Sequence, residues 1–124
     1  MALVLIVEDS DTSTPLEIAL ASLKGLETML VANGRDALKL LREKHSEIAA
    51  VITDLELPYL DGFELIAAIR ADKRYLRLPI VVVTGSNDPD NRLRVRELGA
   101  DAFFTKPYSP IEIRQTLKGL LHAP

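Results

Sequence analysis

Five short apolar runs, spaced along the whole chain, constrain the fold more than any other feature of this sequence. They occupy residues 3–7, 29–32, 48–53, 80–84 and 102–105. Most of them are continuously apolar rather than alternating, which is typical of parallel strands that are covered on both faces. Segments with helical spacing of apolar residues lie between the runs. The sequence therefore predicts a regular alternation of strand and helix.

Capping residues mark where the intervening helices begin and end. Thr14-Pro15-Leu16-Glu17 and Ser109-Pro110-Ile111-Glu112 are typical of capping boxes with proline in the first turn. The other predicted helix starts are Asn33, Asp61 and Asp88. Gly25 and Gly99 are expected to end the first and fourth helices, because glycine readily adopts the left-handed conformation that follows a helix.

The alternation predicts a (βα)5 fold in a single domain that spans residues 1–124. Parallel strands joined through helices use right-handed connections, so the helices have to cover both faces of the sheet. We therefore expect a flavodoxin-like, doubly wound parallel sheet. The expected strand order is 2-1-3-4-5, the commoner doubly wound arrangement for five strands.

Composition excludes several classes of function. The net charge of -3 gives no basic surface of the kind that binds nucleic acid. The chain has no cysteine, so disulfides, thiolate metal sites and cysteine nucleophiles are excluded. No apolar run approaches the roughly 20 residues of a membrane span. We expect a cytoplasmic protein that binds neither nucleic acid nor membrane.

Charged and hydroxyl side chains stand where the predicted strands end. Glu8 and Asp9 follow the first run, Asp54 follows the third, Thr84 ends the fourth, and Lys106 follows the fifth. Ligands of open parallel sheets bind outside the carboxyl ends of the strands. Clustered carboxylates repel each other unless a cation neutralises them, and Mg²⁺ binds through one or two carboxylates, waters and phosphate. The pattern favours a magnesium and phosphoryl site.

Each of these residues also has an ordinary structural interpretation. The three acids suit solvated loops, Thr84 suits a strand, and Lys106 suits a surface. Their joint occurrence at the ends of several strands is what favours a functional site.

Four motifs, in this order and spacing, carry a family resemblance. They are Val7-Glu8-Asp9, Thr53-Asp54-Leu55-Glu56-Leu57-Pro58 with Asp61-Gly62, Val83-Thr84-Gly85, and Phe103-Phe104-Thr105-Lys106-Pro107. Through them the chain resembles the receiver domain of two-component response regulators, from Leu3 to about Leu121. The resemblance implies a phosphorylation-dependent signalling switch rather than an enzyme, with chemistry limited to self-phosphorylation and autodephosphorylation.

The resemblance also implies roles for particular residues. Asp54 would accept a phosphoryl group from a phosphohistidine, and Thr84 and Lys106 would bind the phosphoryl oxygens. Mg²⁺ would be held by Glu8, Asp9, Asp54 and the backbone carbonyl of Glu56. Thr84 and Phe103 would be the switch residues, Gly85 would leave room for the phosphoryl group, and a cis Lys106-Pro107 bond would aim the lysine.

The implied partners are a histidine kinase or phosphotransfer protein, a downstream effector, and a second copy of the domain in a phosphorylation-linked homodimer. Phosphorylation would change binding at the surface formed by the fourth helix, fifth strand and fifth helix. The fourth helix carries Arg92, Arg94 and Arg96, which form either a solvated basic surface or a contact for an acidic effector.

Three departures from the family pattern keep other interpretations open. Glu8 stands where aspartate is more usual, Phe103 lacks the hydroxyl of the frequent tyrosine, and Glu56 adds a carboxylate beside the acceptor. One alternative is a pseudo-receiver that acts through protein contacts without phosphorylation. A haloacid-dehalogenase-like phosphatase would need aspartate where Glu56 stands, and a nucleotide- or flavin-binding protein would need a glycine-rich loop after the first strand.

Overall fold

The computed structural model describes residues 2–9, 13–44, 46–86 and 88–122. The strands are β1 (Ala2–Val7), β2 (Leu26–Val31), β3 (Ile48–Thr53), β4 (Ile80–Thr84) and β5 (Ala102–Thr105). The α-helices are α1 (Thr14–Leu20), α2 (Gly34–Glu43), α3 (Gly62–Ala71), α4 (Pro89–Leu98) and α5 (Pro110–Leu121). A 3-10 turn at Lys73–Tyr75 follows α3. Strand and helix alternate as the apolar runs predict.

The five strands form one parallel sheet in the order β2-β1-β3-β4-β5. This confirms the predicted flavodoxin-like architecture and its strand order. The register pairs Val7 of β1 with Thr53 of β3, and Thr84 of β4 with Thr105 of β5. The residues that follow these pairs, Glu8, Asp54 and Lys106, consequently emerge at one edge of the sheet.

Helices cover both faces of the sheet, as right-handed connections require. Alternate residues of β1 separate into two cores, with Leu5 and Val7 in one and Val4 and Ile6 in the other. The first core is completed by α2, α3 and α4, and the second by α1 and α5. No helix in the described part of the chain is both long and apolar enough to cross a membrane.

Several predicted boundaries are confirmed and others are wrong. Asp61 and Glu64 form a reciprocal capping box at α3, while Asn33, Asp88 and Ser109 accept backbone hydrogen bonds at their helices. Gly99, with φ of 110°, ends α4 as expected.

The first helix differs from the prediction at both ends. Its N-cap is Ser13 rather than Thr14, with no side-chain capping bond, so Glu17 lies one residue too far along to complete a box. The helix stops at Leu20, and Gly25 instead turns the chain into β2 with φ of 79°. That strand begins at Leu26, three residues before the predicted apolar run, because Glu27 and Thr28 pair with β1 despite their polarity.

Candidate phosphoacceptor site

Backbone hydrogen bonds place the candidate residues side by side. The Asp54 amide donates to the Val7 carbonyl (3.0 Å), which continues the pairing of β3 with β1 beyond the last strand residue. The Lys106 amide donates in the same way to the Thr84 carbonyl (2.8 Å). The polar residues therefore begin where strand pairing ends, and the sheet order fixes which of them are neighbours.

Lys106 joins two carboxylates that come from different strands. Its Nζ donates to Glu8 Oε1 and to Asp54 Oδ2, each at 2.8 Å. Glu8 is only 2% exposed and Asp54 only 6%, whereas the lysine side chain keeps 28% of its surface open. Two buried carboxylates and one ammonium thus meet in a pocket with one side toward solvent.

The electrostatics of this group favour the charged lysine. Burial by itself lowers the pKa of Lys106, but hydrogen bonds to Asp54 and Glu8 and the charges of both carboxylates outweigh burial. The pKa of Lys106 is consequently raised above its ordinary value. The ammonium remains protonated throughout the physiological range and supplies a fixed positive charge beside Asp54.

The second oxygen of Asp54 is held by the backbone that follows it. Asp54 Oδ1 accepts from the amides of Leu55 (2.7 Å) and Glu56 (3.2 Å). The chain then folds back so closely that a Cβ on Gly62 would lie 2.3 Å from the Asp54 carbonyl oxygen. Only glycine fits this approach without a shift of backbone, so Gly62 helps to define the loop that carries Asp54.

The remaining predicted residues lie around this center. Thr84 is buried and its Oγ1 accepts from the Ser86 amide (3.3 Å). Asp9 and the side chain of Glu56 are exposed. Space is open around Gly85, and the Lys106-Pro107 bond is cis, as the resemblance implies.

Phe103 lies half-buried on β5, and the Arg92 guanidinium lies over its ring at 4.8 Å from the centroid. Nothing in the periodicity of the sequence predicts this contact. Tyr108 was also missed by the sequence analysis. Burial raises the pKa of Tyr108, Glu8 raises it further and Lys106 opposes the rise, so its phenol lies within electrostatic reach of the pocket.

The donors suit Mg²⁺, although they do not form a cluster of three carboxylates. Within the described ranges, no group of three or more Asp, Glu, His or Cys side chains is arranged to hold a metal ion. Lys106 already pairs with Glu8 and Asp54, and Asp9 stays exposed. Mg²⁺ commonly takes only one or two carboxylates and completes its shell with water, so Asp54 and Asp9 with the Glu56 carbonyl provide donors of suitable chemistry.

Comparison with known proteins identifies the class of protein that this fold and site define. The model of the response regulator receiver domain matches residues 4–118. The chain therefore belongs to the receiver domain family of two-component systems, whose members serve phosphorylation-based signalling and interact with histidine kinases and effectors.

Two curated relatives show how this domain occurs in longer and shorter proteins. The transcriptional regulatory protein GltR of Pseudomonas aeruginosa is 36% identical over 95% of this chain, which spans only 48% of GltR. The polar-differentiation response regulator DivK of Brucella ovis is 30% identical, with 95% of this chain and 94% of DivK covered. The chain thus spans about half of one relative and nearly all of the other.

Solved structures agree with this assignment. The chemotaxis response regulator CheY4 of Vibrio cholerae has a TM-score of 0.83 at 29% identity, with 97% of this chain and 98% of CheY4 covered. The Mn²⁺-bound form of response regulator Rcp1 has a TM-score of 0.79 at 25% identity, with 97% and 91% covered.

Proposed function

We propose that this domain is a signalling switch that accepts a phosphoryl group from a phosphohistidine onto Asp54. The observation that carries the proposal is the bridge from Lys106 Nζ to Asp54 Oδ2 and Glu8 Oε1. A nearly buried carboxylate beside a fixed ammonium is suited to attack phosphorus, because the ammonium offsets the negative charge on the transferring oxygens.

The chemistry is a transfer between two nucleophiles. A carboxylate oxygen of Asp54 forms a bond to phosphorus while the phosphorus–nitrogen bond of the donor histidine breaks, and the imidazole leaves with the bonding electron pair. Lys106 and the Thr84 hydroxyl bind the phosphoryl oxygens, and the open space at Gly85 leaves room for them. Hydrolysis by water returns free phosphate and Asp54, and we propose no activity on other substrates.

A divalent cation completes the charge balance of the proposed site. Glu8, Asp9, Asp54 and the Glu56 carbonyl would hold Mg²⁺. The ion would neutralise phosphoryl oxygens as they approach the acidic pocket. The Mn²⁺ in the structure of Rcp1 supports a divalent cation here, because both proteins share the receiver fold.

Phosphorylation would change partner binding at α4, β5 and α5. The phosphoryl group adds about -1.5 to -2 charges near Asp54, and its contacts with Thr84 and Lys106 favour one arrangement of the adjoining loops. The proposed partners are a histidine kinase or phosphotransfer protein, an acidic effector at Arg92 and Arg96, and a second phosphorylated domain. We propose a cytoplasmic location and no direct contact with nucleic acid.

Intact-mass spectrometry tests the acceptor assignment. The protein is incubated with Mg²⁺ and a small acyl phosphate or phosphoramidate, and a mass gain of one phosphoryl group is expected. The gain should disappear in Asp54→Asn and with a chelator, and it should persist in Asp36→Asn, which removes an exposed aspartate from the first turn of α2. An equal gain in Asp54→Asn would refute the assignment.

One observation favours a second candidate function, that of a pseudo-receiver. Lys106 already pairs with both buried carboxylates, so the resting pocket has a counter-charge of its own. A domain of this kind would bind its partner through the same surface without phosphorylation. No mass gain under conditions that modify an active receiver domain, together with partner binding that Asp54→Asn leaves unchanged, would establish this alternative.

A further inference from the structure

The fourth helix is held to the rest of the domain by unusually little buried apolar surface. Among the described residues of α4, Val95 alone is fully buried, whereas α3 buries Leu65, Ile66 and Ile69. Its exposed surface includes Leu93 and three arginines. Contacts other than core packing must therefore contribute to the position of this helix.

Two of those contacts are arginine–aromatic pairs on different neighbours. Arg92 lies over the Phe103 ring of β5 at 4.8 Å, and Arg94 lies over the Phe63 ring of α3 at 3.9 Å. Each guanidinium is attracted to the negative face of its ring, and such a contact at an exposed site changes an equilibrium about two- to fivefold. The two arginines thus attach α4 to the elements on either side of it.

We propose that Arg92 is a positioning residue that stabilises the resting place of Phe103 and so opposes activation of the switch. This inference rests on the proposed function and on the role of Phe103 as a switch residue beside Thr84, which the family resemblance implies. Space for such a movement exists, because a cavity of about 340 Å³ beside the ring is lined by Arg92, Val95, Ala100 and Phe103, among others. Movement of the ring into a new place requires loss of the Arg92 contact.

The proposal predicts the direction in which Arg92→Ala changes the affinity for a phosphoryl mimic. When only a fraction of the protein is in the binding-competent arrangement, the apparent dissociation constant equals the intrinsic dissociation constant divided by that fraction. Arg92→Ala removes the contact that favours the resting arrangement, so the competent fraction rises. We expect Arg92→Ala to bind beryllofluoride with Mg²⁺, a stable mimic of the phosphoryl group, about two- to fivefold more tightly than the natural sequence.

Arg94→Ala is the matched control for this measurement. It lies on the same helix, removes the same charge and also removes a ring contact, but the ring is Phe63 rather than Phe103. Its affinity for beryllofluoride should stay within the wild-type error. Arg92→Lys, which retains the charge without the planar guanidinium, should fall between wild type and Arg92→Ala.

Fluorine NMR provides a readout that does not depend on phosphorylation. Fluorinated phenylalanine labels the three phenylalanines of the chain, and the Phe103→Leu variant identifies the Phe103 resonance. In the resting protein, Arg92→Ala should shift that resonance toward its position in the beryllofluoride complex, and Arg94→Ala should not. In the Phe103→Leu background, Arg92→Ala should no longer change beryllofluoride affinity.

The two proposals fail in distinguishable ways. Wild-type protein that takes up no beryllofluoride would contradict the proposed function. A change of the resting Phe103 resonance in Arg92→Ala but not in Arg94→Ala would then still support the positioning role. Normal uptake by wild type with equal or weaker uptake by Arg92→Ala would overturn the positioning role alone. Equal resonance shifts in Arg92→Ala and Arg94→Ala would also overturn it, because they would reflect a general displacement of α4.

Discussion

Replacement of Lys106 by methionine removes the single ammonium that joins two buried carboxylates while keeping most of the side chain. The change deletes two hydrogen bonds of 2.8 Å, to Glu8 Oε1 and to Asp54 Oδ2. It leaves these carboxylates together in a pocket that exposes little of either. We expect a substantial loss of stability, because two buried negative charges stay close together after the ammonium between them is removed.

The expected size follows from the two bonds and the exposure of the lysine. A hydrogen bond to a charged group contributes about 1.5–3 kcal/mol, so two give an upper limit of about 3–6 kcal/mol. Lys106 is 28% exposed, and water entering from that side compensates part of the loss. We therefore expect Lys106→Met to lower the free energy of unfolding by about 2–4 kcal/mol at neutral pH.

The loss should depend on pH in one direction. The ammonium of Lys106 contributes to the stability of the folded state only while it is charged. In wild type, the raised pKa of Lys106 means that the contribution of the lysine is lost only as pH rises beyond about 10.4.

Urea unfolding followed by far-ultraviolet circular dichroism measures this effect, since the chain has no tryptophan. The double variant Glu8→Gln/Lys106→Met should be more stable than Lys106→Met alone, because it lacks one of the two negative charges that repel each other. Lys118→Met, at an exposed position of α5, should change stability by no more than about 0.5 kcal/mol. A loss for Lys106→Met that does not exceed the loss for Lys118→Met would refute the reasoning.

Three further predictions concern stability. Gly62→Ala should lower the free energy of unfolding in urea by about 1–3 kcal/mol, because the new Cβ meets the Asp54 carbonyl and the Leu55 backbone. Gly119→Ala, its control in α5, has open space around the new Cβ and should raise the free energy of unfolding by about 0.5–1 kcal/mol. Arg70→Lys should lower the thermal midpoint, because the guanidinium donates to the Gly99 and Tyr75 carbonyls, and a lysine cannot make both contacts; an unchanged midpoint would contradict this. Burial raises the pKa of Tyr75, so the contribution of this residue to stability should persist below about pH 10 and decline as the pH rises further. In an ultraviolet titration, the phenol that ionises late in wild type should be missing from Tyr75→Phe.

The strands were predictable because continuous apolar runs of this length are typical of buried strands. Their order was predicted only as the commoner doubly wound arrangement of five strands. The prediction was weakest where burial is incomplete. β2 is an edge strand with exposed Glu27 and Leu30, so its apolar pattern covers only part of its length. The start of the first helix was misjudged for a different reason: Ser13 and Thr14 are both acceptable caps, and residue type does not distinguish between them.

The site was predictable as a set of strand ends but not as a set of contacts. Sheet order places Glu8 beside Asp54, whereas the bridge depends on which oxygens Lys106 reaches from β5. The sequence suggested three gathered acids, and the structure pairs two of them with the lysine while Asp9 remains exposed. Which oxygens Lys106 contacts depends on small differences in side-chain position, and the spacing of residues along the chain does not encode these.

The same lysine serves both the resting pocket and the proposed reaction, and this links stability to switching. In the resting domain, Lys106 divides its hydrogen bonds between Glu8 and Asp54. A phosphoryl group on Asp54 would offer Lys106 oxygens with more negative charge, so the bond to Glu8 would have to compete with them. Because Glu8 is almost fully buried, a weaker bond to Lys106 would make its negative charge less favourable there, and a bound cation would offset that cost. Phosphorylation and cation binding should therefore be coupled through Glu8, a residue that need not contact the phosphoryl group itself.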